Sequence, residues 1–169
     1  MSRTQILRPV NPIFMWGTII VALVLNLQPW GRLYGIPDFV ALALVFWNIH
    51  QPRRVGIGAA FVMGLLMDVN NANLLGEHAL AYTLLSYLAI TIHRRVLWFS
   101  IPIQSAHIFV LLLMAQAIQY FMQFIVTGNT LHPLFFAESL IGAVLWPVVT
   151  WLLLAPQRRP TDKDDTRPI

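Results

Sequence analysis

Two carboxylates in this sequence are spaced for acid–base chemistry. Asp68 and Glu77 stand nine positions apart across a turn that includes Gly76, so they could approach each other. A working pair also needs a nucleophile with a base beside it, and nothing near either residue supplies one. GxSxG, Walker A and GxGxxG patterns are absent. The five histidines, His50, His78, His93, His107 and His132, contain no i, i+4 pair and no HExxH, the spacings that put two imidazoles on one helix face around zinc. There is no cysteine, which excludes disulfides, thiolate metal sites, iron–sulfur clusters and cysteine nucleophiles. We therefore expect no enzyme, no metal site and no cofactor.

Polar residues inside apolar runs are more informative. Gly56, Ala60, Gly64 and Asp68 fall four apart, on one face of a helix. Small residues at that spacing let a second helix approach closely. The face is a candidate contact seam, for a neighbouring element or for a partner, with Asp68 pairing or capping at its end. The bland alternative makes Asp68 a solvated helix end, and Asn70, Asn71 and Asn73 just after it favour that reading. Gln116, Gln119 and Gln123 lie at i, i+3 and i+7. A glutamine in hydrocarbon must find a hydrogen-bond partner, so these three bind another helix of the chain, line a cavity or meet a partner's helix. His107, alone in an apolar helix, reads as a hydrogen-bonded core residue. Trp30, Trp47, Trp98, Trp146 and Trp151 read as interfacial anchors or helix packing.

The elements that position these residues follow from composition. Of 169 residues, 57% are apolar and 11% charged, with a mean hydropathy of +0.66. Soluble domains carry roughly 25% charged residues. So few charges cannot cover so large a core, and lipid must be the outer solvent. The high isoelectric point does not point to nucleic acid, because the basic residues form short clusters between apolar runs rather than a patch. Six runs are candidates for spans of about 20 residues: Ile13–Leu27, Pro37–His50, Val55–Val69, His78–His93, Ile101–Thr127 and Leu134–Leu154. Prolines at several ends fit helix termini. The second run looks short. The third is also short and glycine-containing, and is either shielded by other helices or broken; the fifth is long and should tilt.

Charge chooses between six spans and five. With six spans and the N-terminus inside, ten of the eleven basic residues fall on the inner side, leaving only Arg32 outside, as the positive-inside rule requires of short loops. The expected layout is an all-α polytopic inner-membrane protein. Residues 1–155 form the six-helix transmembrane domain, 156–169 form a disordered tail, and both ends are cytoplasmic. The first run mimics a signal peptide, but no small-x-small site follows it.

One further pattern has a precedent. Pro37-Asp38 leads an apolar run to Trp47; Pro52, Val55, Gly58, Phe61-Val62-Met63-Gly64, Asp68 and Leu75-Gly76 follow, and Gly142-Ala143-Val144-Leu145-Trp146-Pro147 comes later. This resembles the bacterial rod shape-determining MreD family, in size and six-helix layout as well. The resemblance implies a non-enzymatic scaffold of the elongasome, which directs lateral peptidoglycan synthesis. It implies binding to MreC and, through it, connection of MreB filaments to a RodA-type glycan polymerase and a class B penicillin-binding protein. A homo-oligomer is compatible with it. The family is similar in fold to substrate-binding subunits of energy-coupling-factor transporters, which gives the alternative expectation, a small-solute binding subunit with the three glutamines in its cavity.

Overall fold

The computed structural model describes residues 11–29, 35–71, 74–128 and 133–157. Within them the chain is all-helical: α1 (Pro12–Asn26), α2 (Phe39–His50), α3 (Gly56–Asn71), α4 (Glu77–Trp98), α5 (Ile101–Thr127) and α6 (Ala137–Leu154), with 3-10 turns at Pro133–Phe136 and Ala155–Gln157. Of the expected tail, Pro156 and Gln157 belong to that last turn, with Gln157 buried; residues 158–169 and the arginines of the N-terminal arm lie outside the described residues, as does Trp30.

Local chemistry sets the ends. Asn11 caps α1 by accepting from the Ile13 amide at 2.9 Å, and Pro12 at the first helical position has no amide to leave unpaired. Asp38 caps α2 by accepting from the Ala41 amide at 3.0 Å. Gly76 begins α4 with φ +107°, a conformation that costs a residue without a Cβ little.

The helix α2 is the hub. Every residue from Val40 to Ile49 is buried, and α1, α4 and α6 pack around it. Twelve residues rise only about 18 Å, so α2 is shorter than a simple span, but its neighbours shield it. The helix α3 packs chiefly on α4, which packs on α5, which packs on α6. The third run is one unbroken helix, not an interrupted one. Helix α5 and the stretch Ala137–Gln157 are long and apolar enough to cross a membrane, while α1 and α2 are shorter apolar helices. Large apolar side chains cover the outside: Phe121, Val144, Val148 and Trp151 are all more than half exposed.

Candidate functional site

The Asp68 carboxylate is fully buried and satisfied. One oxygen, Oδ2, accepts from the Gly76 amide at 2.8 Å and the Ala79 amide at 3.3 Å. The other, Oδ1, accepts from the His78 amide and from His78 Nδ1, both at 2.8 Å. A carboxylate accepts only, so Nδ1 carries the proton. Asp68 thus caps α4 from the end of α3, where the free amides and the helix dipole favour negative charge. This is the capping alternative, not the solvated one.

The small-residue face runs into that cap. Ala60 and Gly64 are buried, and a Cβ built on Gly64 would lie 2.3 Å from Ala79 Cα. The seam between α3 and α4 is therefore filled from within the chain and is not open to a partner. Gly56 stands apart from it, at φ +66° with no atom within 4 Å of a built Cβ.

Asp38, which enters the sequence pattern only within Pro37-Asp38, ties three helices. Oδ1 accepts from Asn26 Nδ2 at 2.7 Å in addition to the Ala41 amide, and Oδ2 accepts from the Tyr82 hydroxyl at 2.6 Å. Asn26 Oδ1 in turn accepts from the Phe39 amide at 3.0 Å. The signal that could have found it is Pro37-Asp38 directly before an apolar run, which marks a helix start.

Gln116 links α5 to α6. Its Nε2 donates to Glu138 Oε2 at 3.0 Å and to the Phe135 carbonyl at 3.1 Å, and Ser139 Oγ donates to its Oε1. Gln116 and Gln119 are buried and Gln123 is half-buried.

These groups surround one cavity of about 680 Å³. Its walls are Asn26–Pro29 after α1, Ile36–Asp38 before α2, Met67, Asn70 and Asn71 at the end of α3, Glu77 and His78 at the start of α4, the three glutamines of α5, and Phe135 and Glu138 before and in α6. Six successive helix ends meet there, so the helices alternate in direction, and Arg53, Arg54, Arg94 and Arg95 belong to the opposite ends. Glu77 and Asp68 do not form a working pair: both Asp68 oxygens are committed to the α4 cap, and Glu77 faces the cavity. No Ser, Thr, Tyr, Lys or Arg is among the described lining residues.

Trp47 and Trp146 take the helix-packing alternative and are fully buried; Trp47 Nε1 donates to Thr18 Oγ1 at 2.9 Å and Trp146 Nε1 to Gln104 Oε1 at 3.3 Å. Trp98 and Trp151 are exposed. His107 is hydrogen-bonded, through Nδ1 to the Ile103 carbonyl at 2.8 Å, but it lies partly exposed beside Phe99 and not in the core.

Comparison with known proteins agrees with the sequence pattern. The family model of the rod shape-determining protein MreD matches residues 7–155. A curated rod shape-determining protein MreD from Haemophilus influenzae is 29% identical over 162 residues, covering 87% of this chain and 94% of that one. No solved structure matches. A family match across nearly the whole length makes one assignment: the chain belongs to the MreD family.

Proposed function

We propose that this protein is a non-enzymatic scaffold of the rod-elongation machinery, anchored in the inner membrane by six helices with both termini in the cytoplasm. Family membership carries the coarser part, a membrane protein with a role in rod shape determination. The scaffold reading adds that it binds MreC through helix faces. MreC then connects MreB filaments to a RodA-type glycan polymerase and a class B penicillin-binding protein, and so directs lateral peptidoglycan synthesis.

The observation that carries this reading is the apolar exterior, because lateral packing in the bilayer is the mode of association such a surface offers. One groove suits a single helix. It lies between α1 and α6 with Ala43 of α2 as its floor, walled by Gly17, Val21, Leu25, Leu152 and Leu153, and encloses about 400 Å³. Gly17 has no atom within 4 Å of a built Cβ, so the groove is open at its narrowest residue.

Depletion of the protein in its host tests the cellular role: rods should round up, and unchanged rods would overturn it. Co-purification tests the groove. Gly17→Leu extends a side chain into it from a position where a Cβ meets no other atom, and should lower recovery of MreC at normal protein levels. Ala117→Leu, in the separate groove between α4 and α5, should not. Full recovery with Gly17→Leu removes MreC from the α1–α6 groove. The alternative, a small-solute binding subunit, draws on the glutamine-lined cavity alone. Rods that need a vitamin supplement after depletion would favour it.

A further inference from the structure

We propose that the polar cavity is a receptor for an organic cation, an ammonium or guanidinium group rich in N–H donors. Its walls present acceptors that the chain leaves unused. Glu77 is 5% exposed and Gln119 is 6% exposed, both line the cavity, and neither side chain has a hydrogen-bond partner among the described residues. Glu138 spends one oxygen on Gln116. His78, whose Nδ1 is held by Asp68, stands at the same wall. Asp38, its oxygens already engaged, adds negative charge at the same wall. The Glu77 carboxylate opens to the cavity, where a bound donor of opposite charge can make charge-assisted hydrogen bonds with it.

The described walls favour a cation over an anion. No lysine or arginine lines the cavity among the described residues, so along these walls a phosphate or pyrophosphate would meet carboxylates; Arg32 lies outside the described residues. The depth also fits. Gln116 to Gln123 spans about 10 Å along α5 at the helical rise, enough for a lysine or arginine side chain or a small polyamine. The cation therefore comes either from a free amine or from a basic residue of a partner, and the chemistry of recognition is shared.

The absence of cysteine makes a clean test. Asn71→Cys, at the exposed rim of the cavity, is labelled in the purified full-length protein with a trimethylammonium and with a sulfonate methanethiosulfonate reagent. Rates are normalised to those with a free thiol. The cationic reagent should be favoured by about 10-fold or more, in the range that focused charge gives to encounter rates. Glu77→Gln, and separately Glu138→Gln, should each reduce that preference; both keep side-chain size, and either one suffices. Agmatine should slow labelling more than sodium chloride at equal ionic strength. Equal rates for the two reagents, or agmatine no more protective than salt, overturns the proposal. Native membranes separate the sources: a reporter shielded before any addition assigns the cation to a partner, and one shielded only by agmatine assigns it to a free amine. Cell rounding on depletion is read independently, so either proposal can fail alone.

Discussion

Asp68 shows how one side chain can decide a helix start. Its two oxygens serve three backbone amides and an imidazole on α4, and Gly76 at the N-cap has no side chain to do so. Asp68→Ala should lower stability by about 3 kcal/mol, the scale of charge-assisted hydrogen bonds lost in a buried setting. Asp68→Asn, which keeps one acceptor, should cost less. The midpoint of heat-induced loss of the monodisperse protein in detergent reads both, and an Asp68→Ala midpoint equal to the parent would refute the cap. The spacing that singled out Asp68 was legible in the sequence. Its partners were not, because they lie eight to eleven residues onward across a turn, and the asparagines after it mimic a solvated end. Gln116 was similar: its need for partners was legible, while Phe135, Glu138 and Ser139 as those partners required the fold.

At the scale of elements, the close approach of α3 to α4 rests on Gly64. Even Gly64→Ala places a methyl 2.3 Å from the Ala79 Cα, and backbone cannot step aside as a side chain can. Gly64→Ala should sharply reduce the yield of folded protein, and Gly64→Leu should abolish it. Gly142→Ala is the contrast. Its nearest neighbour is Leu112 Cδ1 at 2.8 Å, the end of a flexible side chain, so the protein should fold with a modestly lower thermal midpoint. Comparable yields for the two alanine variants would overturn this account of the seam. Loss of MreC with a Gly64 variant would report misfolding, not docking. The runs themselves were readable because hydropathy and proline mark ends well. The fifth run coincides with Ile101–Thr127. The fourth was read as ending at His93, yet α4 continues to Trp98, since Arg94 and Arg95 end an apolar run but are good helix formers.

For the whole molecule, the alternation of helix ends around the cavity is what the charge pattern requires if the arginine-bearing ends face the cytoplasm. Reporter fusions after Arg54 and after Arg95 should both read cytoplasmic, and a periplasmic signal from either would refute the six-span orientation. The cavity was not legible as a whole. It gathers residues from Asn26 to Glu138, and no local period in a sequence connects positions so distant. Only the α5 glutamines, which form a stripe on one helix, announced themselves. The burial of α2 carries its own consequence for how the chain is made. This helix emerges from the ribosome second, yet the surfaces that enclose it, on α4 and α6, are synthesised later. A nascent chain halted after α3 would hold a twelve-residue stub, too short to cross the roughly 30 Å hydrocarbon layer and missing its Tyr82 tether to Asp38. If α2 crosses the membrane as proposed, its integration is completed in retrospect, when the fourth and sixth helices arrive to close over it.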